Sequence, residues 1–134
     1  MKERMTVLIA EDEPDNREVM RSVVEDVGGY RVLLAEDGEQ ALLIAEAEVP
    51  DVVLLDLLLP RLTGFEVTRR LKSNPRTSHI PVIAITALGR VQDRTEAFRA
   101  GAVDYLEKPF DLEVLLQKLK ASLRARSAGG ASQT

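Results

Sequence analysis

Residues 51–64 of this chain, DVVLLDLLLPRLTG, decide its fold and indicate where its functional residues lie. The four apolar residues 52–55, two of them β-branched, are typical of a strand covered on both faces in the middle of a parallel sheet. The strand leads directly into Asp56, after which Pro60 and Gly64 interrupt regular structure. Ligands of open α/β sheets bind beyond the carboxyl ends of the strands, so Asp56 is expected at the mouth of a site. An aspartate in this position can also simply cap a turn, and the stretch alone leaves both interpretations open.

Short apolar strands and amphipathic helices alternate along the rest of the chain. Asp37 with Gln40, and Thr63 with Glu66, have the spacing of helix N-terminal caps. The first helix carries five apolar residues between positions 19 and 27, and Gly28-Gly29 should end it in a left-handed cap. Strands are predicted at residues 6–10, 30–35, 52–55, 81–86 and 103–106.

Alternating strands and helices of this kind indicate an α/β fold. We predict a five-stranded parallel sheet with helices on both faces, in the flavodoxin-like (βα)5 arrangement with strand order 2-1-3-4-5. The first and third strands are then neighbours at the topological switch point, where the strand order reverses.

The composition indicates a single soluble domain. The chain has 134 residues, 45% of them hydrophobic, which is enough for one core. It has no cysteine, a polar start, and no apolar run long enough to cross a membrane. A net charge of −4 disfavours a nucleic-acid-binding surface. We therefore expect a cytoplasmic protein with a folded domain at residues 1–126 and a flexible tail of small residues at 127–134.

Polar side chains stand at the carboxyl ends of four of the predicted strands: Glu11 and Asp12 after the first, Asp56 after the third, Thr86 after the fourth and Lys108 after the fifth. Two carboxylates about 4 Å apart repel each other by about 4 kcal/mol at an effective dielectric constant of about 20, and one lysine does not offset three acids. An all-oxygen site of this kind suits Mg²⁺. Phosphoryl transfer to a carboxylate would give every residue of the set a task.

This ordered set of motifs resembles the receiver domain of two-component response regulators, including the stand-alone chemotaxis regulator. The resemblance covers residues from about 5 to 124. It is carried by the acidic pair, the acceptor aspartate with its later proline and glycine, the Thr-Ala pair and the Lys-Pro pair: Glu11-Asp12, Asp56 with Pro60 and Gly64, Thr86-Ala87, and Lys108-Pro109-Phe110.

The resemblance implies that Asp56 is phosphorylated by a sensor histidine kinase or a histidine phosphotransfer protein. It also implies that Asp12, Asp56 and the backbone carbonyl of Leu58 hold Mg²⁺, with Glu11 contributing directly or through a water molecule. Many family members have aspartate where this chain has Glu11. Such a domain is not an enzyme beyond catalysing its own phosphorylation and dephosphorylation.

The resemblance further assigns switching roles. A cis peptide bond before Pro109 should direct Lys108 into the site. Tyr105 occupies the aromatic position that moves inward as Thr86 is drawn toward the phosphoryl group. Phosphorylation should then alter a face that binds an unknown downstream protein. The expected state is a monomer or a weak, phosphorylation-dependent dimer, without direct contact to nucleic acid or membrane.

By the same resemblance, two leucines occupy the positions that tune hydrolysis of the phosphoryl group, and its loss should be comparatively slow. Leu58 and Leu88 lie two residues after Asp56 and two after Thr86, and apolar side chains there should not orient an attacking water. Leu58 also weighs against the first alternative, an aspartyl-phosphate-forming phosphatase or hydrolase, because such enzymes usually carry a second acid at this position. A second alternative is a phosphorylation-independent docking module, which should have lost part of the acidic site. The single histidine, His79, is given no role.

Overall fold

A computed structural model describes residues 4–132 of the chain, with side chains described through residue 125. It contains five strands: β1 (Thr6–Ala10), β2 (Arg31–Ala35), β3 (Val52–Asp56), β4 (Val82–Thr86) and β5 (Asp104–Glu107). The helices are α1 (Pro14–Arg21, continued by a π-helical turn over Ser22–Val27), α2 (Gly38–Glu48), α3 (Gly64–Ser73), α4 (Val91–Ala100) and α5 (Leu112–Ser132). The strands form one parallel sheet in the order β2-β1-β3-β4-β5, so the predicted fold is confirmed.

Helices cover both faces of the sheet. On one face, α1 and α5 pack Met20, Val24, Leu115 and Leu119 against alternate residues of the central strands. On the other face, α2 and α3 pack against the remaining residues of the same strands, and α4 extends this layer toward β5. All five residues of β3 are buried, as expected for a central parallel strand.

The register of the sheet aligns the ends of three strands. Ala10 of β1 pairs with Leu55 of β3, and Asp56 pairs with Ile85 of β4. The residues that follow Ala10 and Ile85, which are Glu11 and Thr86, therefore flank Asp56 at one edge of the sheet. Backbone pairing alone places these residues side by side, because the register of a parallel sheet fixes which residues are neighbours.

The end of the first helix differs from the predicted geometry. The chain winds into a π-helix over Ser22–Val27, so that Val24 is buried while Val27 is 72% exposed. Gly28 keeps a right-handed conformation, and the left-handed conformation falls on Gly29, whose φ is +77°. The π-helical turn changes the number of residues per helical turn at this point. Spacing rules for a regular α-helix do not anticipate such a change.

The carboxyl-terminal boundary of the domain stays a prediction. The backbone of α5 is helical to Ser132, which includes six of the eight residues expected to form a tail, while residues 133–134 lie outside the described part of the chain. Among the described residues, no helix combines the length and apolar content that a membrane crossing requires.

Candidate functional site

Three carboxylates converge where the sheet register predicts. Glu11, Asp12 and Asp56 each place one oxygen within 4.8 Å of the others. Glu11 and Asp56 are only 1% and 5% exposed, whereas Asp12 is exposed. The group therefore offers two buried oxygen ligands and one at the surface, a composition suited to a hard divalent cation that retains some of its water.

Lys108 lies directly against the two buried acids. Its Nζ atom donates to Glu11 Oε1 at 2.7 Å and to Asp56 Oδ2 at 2.8 Å. Burial alone would lower the pKa of Lys108, but hydrogen bonds and charge from Asp56 and Glu11 outweigh this effect and raise it. Burial raises the pKa of Glu11 even though Lys108 opposes that shift. The ammonium group compensates part of the negative charge, and the group of three acids and one lysine stays negative.

Backbone contacts around the carboxylates were not apparent from the sequence. The Leu58 amide donates to Asp56 Oδ1 at 2.8 Å, and the Glu13 amide donates to Glu11 Oε2 at 3.1 Å. Arg17 reaches back from α1 and donates to the Glu11 carbonyl at 2.9 Å. These contacts fix the orientation of both acids, and they depend on loop conformations that no local pattern specifies.

Close packing explains the glycine that follows Asp56 by eight positions. A β-carbon at Gly64 would overlap the carbonyl oxygen of Asp56 and lie 2.7 Å from the Cα atom of Leu57. The first turn of α3 can therefore approach the end of β3 only because position 64 has no side chain. The Gly64 amide also donates to the Leu57 carbonyl at 3.0 Å, which closes the loop beneath Asp56.

Thr86 and Tyr105 are linked through the loop after β4. Thr86 is fully buried, and its Oγ1 atom accepts a hydrogen bond from the Leu88 amide at 3.0 Å. The half-buried Tyr105 donates its hydroxyl to the Leu88 carbonyl. The peptide bond between Lys108 and Pro109 is cis, as the resemblance implied.

The two leucines that are expected to set the phosphoryl lifetime differ in their surroundings. Leu58 is 51% exposed, whereas Leu88 is partly buried. His79 is exposed in the connection between α3 and β4 and is not among the residues gathered at the acidic site.

The fold and the site define a flavodoxin-like domain. An acidic pocket, with Lys108 bonded to two of its acids, lies at the topological switch point of the sheet. This chain belongs to the response regulator receiver domain family, whose family model matches residues 7–120. Members of this family are signalling modules of two-component systems.

Relatives include both a short and a long response regulator. Protein PilH of Pseudomonas aeruginosa is 41% identical over 117 residues, which make up 87% of this chain and 96% of PilH. The DNA-binding dual master transcriptional regulator RpaA of Synechocystis is 42% identical over 118 residues, 88% of this chain but 48% of RpaA. The chain thus spans about half the length of RpaA and of several other curated relatives.

A solved structure of similar fold contains a metal ion in its cleft. The receiver domain of the sensor histidine kinase PA1611 from Pseudomonas aeruginosa superposes with a TM-score of 0.83 and is 36% identical, covering 90% of this chain and 98% of that one. It is described with a magnesium ion coordinated in the active site cleft.

Proposed function

We propose that this domain accepts a phosphoryl group on Asp56 and thereby switches a protein-binding face. The observation that carries the proposal is the placement of a buried Asp56 between Glu11 and Lys108, with Asp12 close enough to share a cation. A carboxylate that only capped a turn would not need a lysine and two further acids around it. The donor is a sensor histidine kinase or a histidine phosphotransfer protein, acting in the cytoplasm.

The transfer step needs little chemistry from the protein beyond position and charge. One oxygen of Asp56 attacks the phosphorus of a phosphohistidine; the P–O bond forms as the P–N bond breaks, and the electron pair returns to the imidazole nitrogen. The Nζ atom of Lys108 lies 2.8 Å from Asp56 Oδ2 and can form an ion pair with the phosphoryl oxygens after transfer. Thr86 can donate its hydroxyl to one of them.

Magnesium fits the oxygen atoms present at this site. Asp12, Asp56 and the backbone carbonyl of Leu58 would hold it, with Glu11 contributing directly or through a water molecule. When bound, the ion supplies positive charge that offsets the charge of the phosphoryl oxygens. The longer side chain of Glu11, compared with aspartate, is accommodated here by the hydrogen bond from the Glu13 amide.

Phosphorylation controls binding of the downstream protein by shifting the population between two conformations of one protein-binding face. Phosphorylation adds charge and acceptors at Asp56, which draw Thr86 and Lys108 inward and alter the surface formed by α4, β5 and α5. A coupling of about 1–3 kcal/mol between the two sites is typical of such switches. The target is a downstream protein, and the domain acts as a monomer or a weak phosphorylation-dependent dimer.

The direct test is phosphorylation by a small donor. Incubation with acetyl phosphate and Mg²⁺ should add one phosphoryl group per chain, detected by intact-protein mass spectrometry, and chelation of the metal should prevent it. Absence of the adduct in the presence of Mg²⁺ would contradict the proposal. A pull-down that compares beryllofluoride-treated with untreated protein would then identify the state-dependent target.

Replacing both lifetime-setting leucines should shorten the life of the phosphoryl group. In Leu58→Asn with Leu88→Glu, polar groups can hold and activate a water beside the anhydride. A well-placed base contributes about 100-fold or more to such reactions, and we expect about a tenfold acceleration from imperfect alignment. The decay of the adduct is followed by mass spectrometry after the donor is removed. Leu43→Asn, at an exposed position of α2, serves as the control. An unchanged decay rate in the double variant would refute the explanation.

A further inference from the structure

The loop between β3 and α3 contains a turn with an unfavourable backbone geometry. Arg61 has a φ of +70°, a value that side chains other than glycine rarely adopt. The Leu62 amide donates to the Pro60 carbonyl at 2.8 Å, so a hydrogen bond between residues two positions apart closes around Arg61. A γ-turn with a positive φ at its centre is rare and strained. Such a backbone persists only where the surrounding structure holds it in place.

The start of α2 holds this turn through backbone contacts. The buried Gly38 donates its amide to the Pro60 carbonyl at 3.2 Å. A β-carbon on Gly38 would lie 1.9 Å from the carbonyl oxygen of Leu62 and 2.6 Å from its carbonyl carbon. The two backbones are therefore in direct contact, and only a residue without a side chain permits this approach.

Ion pairs add little to these backbone contacts. Arg61 Nε lies 3.5 Å from Asp37 Oδ2, and Arg61 Nη1 lies 3.8 Å from Glu39 Oε1. The Arg61 side chain is 67% exposed, and exposed pairs at such distances contribute little to stability. Asp37 also caps α2 by accepting from the Gln40 amide at 2.7 Å. The turn therefore depends more on the packing of Gly38 than on the charge of Arg61.

The same loop carries groups of the acidic site. The Leu58 amide donates to Asp56 Oδ1 at 2.8 Å. Leu57 and Leu59, on either side of Leu58, are buried, so this part of the loop is packed into the core. A displacement of residues 60–62 is therefore transmitted to Leu58 through a short and closely packed segment.

We infer that Gly38 is a positioning residue of the metal site. By holding the turn at Arg61, it fixes the Leu58 carbonyl and the Leu58 amide that orients Asp56. The inference rests on the proposed function, in which Asp56 and the Leu58 carbonyl hold Mg²⁺. Altering groups that orient metal ligands without touching the ion typically weakens metal binding about 10- to 100-fold. The Mg²⁺ affinity of the domain thus depends on a glycine in α2.

Gly38→Ala should weaken the binding of Mg²⁺. The added methyl group displaces the Leu62 carbonyl, and we expect the dissociation constant for Mg²⁺ to rise about tenfold. A two-dimensional NMR titration with magnesium chloride, followed at the Leu58 amide signal, measures this constant. Gly28→Ala is the matched control, because its β-carbon would lie 2.7 Å from the Val24 carbonyl oxygen, before β2 and so at the opposite edge of the sheet. It should lower stability in urea and leave the dissociation constant unchanged.

Two substitutions of Arg61 test the turn without altering Gly38. Both remove the exposed side chain, but glycine accepts a positive φ and β-branched valine does not. Arg61→Gly should bind Mg²⁺ as the parent protein does, whereas Arg61→Val should bind it about tenfold less tightly. This pair decides the inference alone if Gly38→Ala fails to fold.

Equal Mg²⁺ affinities in Gly38→Ala and Gly28→Ala, or in Arg61→Val and Arg61→Gly, would overturn the inference. Either result would leave the proposed function intact if the parent protein binds Mg²⁺ and is phosphorylated by acetyl phosphate. A parent protein that does not bind Mg²⁺ would instead refute the proposed metal site, and the inference with it.

Discussion

Asp56→Asn is expected to abolish phosphorylation of this protein by acetyl phosphate. An amide at this position has no carboxylate oxygen to attack phosphorus, so the adduct should fall to background at every donor concentration. The fold should persist, because the change removes one of two buried acids that share Lys108 and leaves the Glu11–Lys108 pair at 2.7 Å intact. Mass spectrometry of the intact chain measures the adduct, and circular dichroism verifies the fold.

Two further aspartates serve as comparisons for this result. Asp15→Asn changes an exposed carboxylate in the first turn of α1 and should leave the amount of adduct unchanged. Asp12→Asn keeps the proposed nucleophile, Asp56, but removes a proposed metal ligand, so phosphorylation should require more Mg²⁺. An adduct of normal yield in Asp56→Asn would show that another residue is the acceptor.

Lys108→Met is expected to cause the largest loss of stability at the site. The substitution leaves the buried carboxylates of Glu11 and Asp56 close together without the ammonium group that now contacts both. Removing one partner of a buried ion pair typically costs 3–5 kcal/mol; because Lys108 is partly exposed, we expect about 2–4 kcal/mol. Urea unfolding without divalent cations measures this change.

The cause of that loss can be tested with metal and with pH. Excess Mg²⁺ should restore much of the stability of Lys108→Met, because a cation can replace the missing positive charge. The deficit should also shrink as the pH falls. Glu11 has a raised pKa in the folded state, so its protonation, which removes a buried charge, favours folding below that pKa. The pKa of Glu11 should rise further in the variant.

Lys118→Met is the control for the lysine substitution. Lys118 pairs with Asp104 at 2.9 Å, but both side chains are about a third exposed. Pairs of this kind contribute about 0–1 kcal/mol, so the loss should be small and insensitive to Mg²⁺. Equal losses in the two variants would mean that Lys108 contributes only packing and not charge.

Much of the site was predictable because its residues end strands or directly follow them. A buried strand can be identified from a few consecutive apolar residues, and parallel pairing then places the carboxyl ends of the strands at a common edge. This reasoning was sufficient to predict the positions of Glu11, Asp56 and Thr86. The caps at Asp37 and Thr63 were equally local, and each side chain accepts from the amide three residues later as the spacing predicts.

Sequence by itself therefore determined the strands and the polar residues at their ends, because these depend on neighbours along the chain, while the sheet order came from the flavodoxin-like arrangement that alternating strands and helices favour. Only the tertiary structure decided how those groups bond. Lys108 reaches Glu11 across 97 positions, Arg94 lies over the Tyr105 ring, and Gly64 is required by the backbone of Asp56. Such contacts depend on the packing of distant segments to within about an ångström, and local patterns do not carry that information.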